Sequence, residues 1–177
     1  MPPGSKTGRF DVECFEDRIL ELIKLKLPAK VAEINTEKNI GLTGDDIIDI
    51  EDIPADNYVD SLTEKIANMN TFVYYGVGPV QAIHNGGRTA LKVNMILNIV
   101  FTNVNETLVS GTSQSKTRKQ AFRYSRAFRE IIEENFDWFS GATDIEVQEI
   151  SPGDFYDNEQ LSGTWKVAGV NIAANIG

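Results

Sequence analysis

The sequence predicts an α+β fold: a mainly antiparallel sheet with helices packed on one face, in a single domain. Three observations carry this. Residues 91–102, "LKVNMILNIVFT", alternate strictly, with Leu91, Val93, Met95, Leu97, Ile99 and Phe101 on one side and Lys92, Asn94, Ile96, Asn98, Val100 and Thr102 on the other, which is strand periodicity. Residues 117–137 follow the helical period instead, placing Ala121, Tyr124, Ser125, Phe128, Ile131, Ile132 and Phe136 on one arc. The order of elements, helices, two strands, one long helix and two more strands, lacks the regular βαβ alternation that builds parallel sheets. A chain of 177 residues is about one domain in size and long enough to bury a core.

Along the chain, residues 1–10 are rich in Pro, Gly, Ser and Lys and are expected to form a disordered arm, with the domain occupying 11–177. The arm has no apolar core or small-residue cleavage site, so no signal peptide is read there. From Asp11 onward, Val12, Phe15, Ile19, Leu22 and Ile23 share one helical face. Pro28 is expected to break or kink this helix, because proline removes a hydrogen-bond donor and crowds the preceding turn. Beyond it, "AKVAEINTEKN" predicts a second short helix ending near residues 39–41, where Gly41 supplies the C-cap.

The stretch 45–64 holds Asp45, Asp46, Asp49, Glu51, Asp52, Asp56, Asp60 and Glu64 and no Lys or Arg; it reads as a surface loop with a short strand at most. Tyr58, Leu62, Ile66 and Met69 have the spacing of a modest helix. "TFVYYGVG" at 71–78 is a strand, ended by Gly-Pro and followed by the turn "HNGG". The even side of 91–102 is mostly polar, so one sheet face is expected to be only partly covered. Residues 103–115 read as a polar loop or arm that orders on a neighbour. Residues 144–150 alternate again, 151–163 read as loop, and "TWKVAGVNIAANI" is a last strand. Its parity changes between Trp165/Val167 and Val170/Ile172, which predicts a bulge near Ala168 and Gly169.

Charge is the most informative feature for function. The formal net charge of -9 disfavours a general nucleic-acid binder, whose affinity comes from neutralising phosphates. Yet residues 116–129 contain Lys116, Arg118, Lys119, Arg123, Arg126 and Arg129 and no acid. In that helix the cations lie toward the N-terminus and Glu130, Glu133, Glu134 and Asp137 toward the C-terminus, the reverse of what the helix dipole favours. Helix stability therefore does not account for the pattern. Lys119, Arg123 and Arg126 fall opposite the apolar arc. That face is either a solvated surface or meets an anion: the chain's own 45–64 stretch, the same stretch of a neighbouring subunit, or DNA.

Catalytic readings find little to stand on. One cysteine, Cys14, and one histidine, His84, exclude an internal disulfide framework and a multi-cysteine zinc site. A triad would need His84 as its base, and Cys14 falls on the polar side of its helix without the context of a nucleophile. The acidic run lacks the spacing and central glycine of an EF-hand loop, and neither "GVGPVQ" nor "NGGRTAL" is a phosphate loop. No catalytic, cofactor-binding or metal-ligating residues are expected, and no cofactor. The longest apolar run, residues 95–101, is far short of the roughly 20 residues of a membrane span. A soluble protein of a reducing, cytoplasmic compartment is expected.

Taken together, the amphipathic N-terminal helix with "LPAKVAEIN", the alternating "LKVNMILNIVF", the polar arm, the "RKQAFRYSRAFREII" helix and the final "TWKVAGVNI" resemble the tail terminator (tail completion) and head-tail connector proteins of tailed bacteriophages. The match rests on Arg123, Tyr124, Ala127, Phe128 and Ile131 following a long strand and a loop; the acidic 45–64 stretch stands outside it. The resemblance implies a small, non-enzymatic virion protein, assembled in the host cytoplasm, that forms a ring, typically sixfold. Its implied partners are copies of itself, the tail tube protein and the neck or connector protein, with DNA passing through the ring and no membrane. A ring needs two complementary surfaces repeated head to tail. The sequence offers as interface residues Lys119, Arg123, Arg126 and Arg129 on one side and Asp45, Asp46, Asp49, Glu51 and Asp52 on the other. The competing class is a nucleic-acid-binding or regulatory module using the basic helix 116–129, and an enzyme with a dispersed site is a third.

Overall fold

The computed structural model describes residues 10–61, 69–102, 116–155 and 165–177. The expected arm 103–115, most of the expected N-terminal arm and the Leu62 and Ile66 positions of the expected helix lie outside these residues. Among these residues, two helices and a six-stranded, mostly antiparallel sheet make one α+β domain, with both helices contributing to the main core.

Helix α1, Val12–Lys38, is capped by Asp11, whose carboxylate accepts from the Cys14 N–H at 2.9 Å. Phe10, placed by sequence in the arm, packs partly buried against the core and under the Arg18 guanidinium. The expected break at Pro28 does not occur: α1 is one helix with Pro28 inside it. Interior proline costs about 3 kcal/mol. The apolar stripe Phe15, Ile19, Leu22, Ile23 and Leu27 continues without phase change into buried Val31 and Ile34. Each such side chain contributes about 1.5–3 kcal/mol on burial, enough together to hold the second half in line. Gly41 adopts a left-handed φ of 75° in the turn that follows.

Short 3-10 turns at Gly44–Asp46 and Ala55–Asn57 bracket an extended segment in which Ile48, Ile50 and Ile53 are buried and Asp49, Glu51 and Asp52 exposed. Strand β1, Tyr58–Val59, runs parallel to β2, Thr71–Val77. Tyr58, expected in a helix, is therefore in a strand. Strand β3, Gln81–Asn85, turns through Gly86 and Gly87, both at positive φ, into β4, Arg88–Thr102. β4 pairs with β2 and β3 on one side and with β6, Trp165–Ile176, on the other; β5, Ala142–Phe155, is the far edge. That edge is blunted by two register shifts, Pro152 and the exposed Asp144 and Glu146.

Val93, Met95, Leu97, Ile99 and Phe101 of β4 and Ala168, Val170, Ile172, Ala174 and Ile176 of β6 are buried toward α1 and α2, Lys116–Glu133. The irregularity expected near Ala168 is present but its extra residue is not in β6: β6 pairs with β4 in unbroken register from Trp165 to Ile176, and the bulge lies in β5, where Ser151 and Pro152 stand opposite Ala168. Val167 has the other parity because it faces the opposite side, where it joins Phe72, Val100, Val59, Met69 and Tyr74 in a second, small apolar cluster. Beyond that cluster the face turned away from α1 and α2 is mostly polar, with Lys92 and Asn94 exposed and Ile96 42% exposed. Gly169 is a packing requirement: a side chain there would run into the Leu97 carbonyl and Asn98, and its N–H donates to the buried Ser125 hydroxyl of α2 at 2.9 Å.

Candidate assembly surfaces

The arginines of α2 do not form one solvent face. Arg123, expected on the outer arc, is 8% exposed, its guanidinium donating to the Ile48 carbonyl and to Asn39 Oδ1. Burial pulls its pKa down, with the nearby Asp49 opposing. It is one member of a clamp on the extended segment after Asp46. Asn35 donates to the Ile50 carbonyl at 2.7 Å and accepts from its N–H at 2.9 Å. Asn39, one turn later, does the same to Ile48 at 3.1 and 3.3 Å. Four helical residues rise about 6 Å and two extended residues about 6.7 Å, so asparagines at i and i+4 match every second residue of a strand.

From the other side, Gln120 donates to the Asp49 carbonyl at 2.8 Å, and the Tyr124 hydroxyl both donates to the Glu51 carbonyl and accepts from its N–H. Burial pushes the Tyr124 hydroxyl up to about 12. The basic helix thus meets the chain's own acidic segment, through backbone groups, while Asp45, Asp49, Glu51 and Asp52 face outward and Asp46 is half-buried. The expectation that Arg123 lies on the outer face, opposite the apolar arc, is corrected.

Arg126 and Arg129 belong to a second internal system. Arg126 grips Glu37 of α1 with two bonds of 2.9 and 2.7 Å and Glu130 at 2.6 Å. Arg129 bonds Glu149 of β5 and Glu133, both at 2.7 Å. Lys30, 7% exposed, reaches Glu134 at 2.9 Å, Glu33 at 3.0 Å and Glu130 at 3.6 Å. Glu130 sits at the crossing of these pairs. Burial lowers the Lys30 pKa and its bonds to Glu134 and Glu33 outweigh that, leaving it raised; the Glu37 bond leads in raising Arg126. These charges join α1, α2 and β5, so Arg126 and Arg129, expected at a subunit boundary, have acid partners within the chain.

The sequence-derived interface set therefore divides. Arg123, Arg126 and Arg129 are engaged internally, and Lys119 is half-buried at the edge of a groove. Lys119, with Lys38, Asp46 and Arg123, borders an open groove of ≈ 480 Å³ whose apolar lining is Leu42, Ile48 and Phe122. Leu42 is 39% and Phe122 41% exposed, and Arg118 stacks on the Phe122 ring. At the other end, α2 stops at Glu133 and a 3-10 turn, Phe136–Phe139, follows. The tighter turn rotates Phe136 off the helix arc; Phe139 takes the core position against Phe15, and Phe136, expected in the core, is 43% exposed beside Asp137.

The first turns of α1 carry Glu13, Glu16 and Asp17 on the same side as Asp60; burial and then Asp17, Asp60 and Glu13 raise the Glu16 carboxyl. His84 is an exposed β3 residue whose ring shares a 3.1 Å hydrogen bond with the Thr89 hydroxyl, and Cys14 is a half-buried free thiol. Among the described residues no group of three or more His, Cys, Asp or Glu is placed to hold a metal ion, and no helix is long and apolar enough to cross a membrane. Sequence reasoning missed Leu42, Phe122 and the outward Phe136. The available signal was Phe122 itself, an aromatic beside Ala121 on the polar side of the helix. Comparison with protein-family models found no match, and comparison with curated proteins found none either.

Proposed function

We propose that this chain is a structural subunit that closes into a ring with copies of itself, in the manner of the phage tail terminator and head-tail joining proteins, with a tail tube on one side and a neck component on the other. The supporting observation is the polarity of the two-helix layer. One end presents an apolar groove bordered by Lys38 and Lys119, and the other an exposed Phe136 beside Asp137, with Glu13 and Asp17 at the start of α1. Two different ends are what a head-to-tail ring requires. The phosphate-binding alternative loses ground because Arg123, Arg126 and Arg129 already have carbonyl, amide or carboxylate partners.

Light scattering over a wide concentration range, with and without a tail-tube partner, combined with negative-stain imaging, tests the reading. A homogeneous particle at a multiple of the subunit mass is expected. A strict monomer in both conditions, or steeply salt-dependent DNA binding by that monomer, sinks it.

A further inference from the structure

The β3–β4 hairpin projects from the sheet. Leu91, at its base, pairs with Ile176 and packs partly buried against the core; beyond it β4 pairs with β3, and no described side chain over residues 78–90 is buried. A two-stranded ribbon without a packed face is marginal in water, so this one is an extension that the domain carries. Its charge sets it apart as well. From Met69 to Thr102 the chain has no acid, and its bases are Arg88 and Lys92, in a protein of net charge -9. Both are exposed on the face turned away from α1 and α2, and among the described residues neither has a carboxylate partner.

The opposite end of the sheet is acidic. Glu51 and Asp52, with Asn57, Asn70, Thr71 and Tyr124, line an open pocket of ≈ 370 Å³ whose described lining contains no base. Both carboxylates are exposed, and neither has a cation among the described residues. Their backbone is held in place, since the Tyr124 hydroxyl bonds both the N–H and the carbonyl of Glu51. Hairpin and pocket cannot meet within one molecule. Thr71 on the pocket wall stands opposite Phe101, and the run of β4 from Arg88 to Phe101 spans roughly 43 Å. Ala142, Ile176 and Leu91 lie side by side across β5, β6 and β4, so the hairpin shares one end of the domain with the Phe136–Phe139 turn.

Resting on the ring reading above and deepening it, we infer that the hairpin of one subunit enters the acidic pocket of the next, setting Arg88 and Lys92 against Glu51 and Asp52. The occupant is a second copy of this chain. Each side supplies what the other lacks: two cations without an acid, and two acids without a cation. The acidic segment thus meets a basic partner, supplied by a neighbour's β4 and not by α2. Two cations on so acidic a chain are too few to hold a nucleic acid through its phosphates, which leaves a protein carboxylate as the fitting counter-charge. Opposite charges steer the encounter and fix its direction, because hairpin against hairpin or pocket against pocket sets like charges together. The contact joins unlike surfaces and therefore runs head to tail.

Carbodiimide, which joins a lysine amine to a carboxylate already in contact with it, reads this on the native chain. The protein, concentrated at low salt, is treated, and its covalent multimers are digested for mass spectrometry. The expected product is an amide between Lys92 and Glu51 or Asp52; the roughly 30 Å from Lys92 to the Phe101 end of β4 makes that a link between molecules. As a cross-check, Arg88→Glu with Lys92→Glu should weaken self-association about tenfold or more while leaving the circular dichroism unchanged, and adding Glu51→Lys with Asp52→Lys should restore it. Multimers linked solely through other lysines, no multimers, or a hairpin reversal without effect on self-association overturns the contact. So does duplex-DNA binding that the reversal abolishes while self-association stays intact. Scattering of the native chain separates the contact from the ring. A closed particle without the Lys92 link leaves the ring and removes the contact. The link with open-ended sizes keeps the contact and removes the ring, and a monomer without it removes both.

Discussion

The second half of α2 and the two ends of the helix layer use the same residue types differently. In that half, Arg126, Arg129, Glu130 and Glu133 sit where α1 and β5 pack close, and their charges close on Glu37, Lys30 and Glu149 within the chain. At the ends, Lys119 borders a groove, and Asp137 stands beside an exposed ring. Reach makes the difference. In the seam α1 and β5 bring opposite charges within hydrogen-bond distance of α2, so the buried Lys30 and the half-buried Arg126 and Arg129 each have a carboxylate partner. At the ends water supplies that role, and the charges remain available to a neighbour. Charge in the seam therefore belongs to the fold, and charge at the ends is what the proposed assembly would draw on.

The largest effect is expected at Arg123, which the clamp on the segment after Asp46 draws inward. Arg123→Glu should destabilise the monomer by about 3–5 kcal/mol, because it buries an acid against the Ile48 carbonyl and close to Asp49. Urea denaturation measures it. An unchanged midpoint would return Arg123 to the surface, and with it the idea that the whole basic helix faces outward.

A smaller loss is expected at Glu130, the shared partner of Arg126, Arg129 and Lys30. Glu130→Ala should cost about 1–3 kcal/mol, the range for hydrogen bonds to charged groups. Paired with Lys30→Met, it should show non-additivity in a double-mutant cycle; strictly additive effects would mean that the seam is not one system.

Acid sharpens the same contrast. The Arg126 guanidinium, and then Lys38, hold the Glu37 carboxyl down to about 2, against an ordinary 4.5. Its contribution is fully present above 4.5 and is lost as the pH falls from there through 2. The acid limb of the stability curve should be less steep in Glu37→Gln than in the native chain; identical limbs would show that this pair contributes nothing.

The smallest effect on folding is expected at the ends. Lys119→Glu should move monomer stability by no more than about 0.5 kcal/mol, as surface substitutions do, while weakening self-association in light scattering. A destabilised monomer with unaltered assembly would reverse the roles given to seam and ends.

The main elements were legible because short-range pattern determines them. The alternation of 91–102 became β4, the aromatic arc became the core face of α2, and "TFVYYGVG" became β2. Residues 81–85 were not read as a strand, because "QAIHN" is short and its identity comes from pairing with β4. The acidic segment hid its order for a related reason. Ile48 and Ile50 alternate with Asp49 and Glu51, but too briefly to register, and the partners that complete the segment are Asn35, Asn39, Gln120, Arg123 and Tyr124, far away in the chain.

By itself the sequence determined which residues are apolar, at what period they recur, and that positive and negative charge are segregated along α2; these are properties of neighbours in the chain and carry the α+β class with them. Tertiary structure alone decided that α1 continues through Pro28, that Arg123 turns inward, and that Phe136 turns outward while Phe139 takes its place. Each outcome depends on what stands opposite in space. A proline's cost is offset by a stripe packed further along the same helix, a guanidinium goes where carbonyls are left without donors, and one turn of tighter helix sends a ring to the other side.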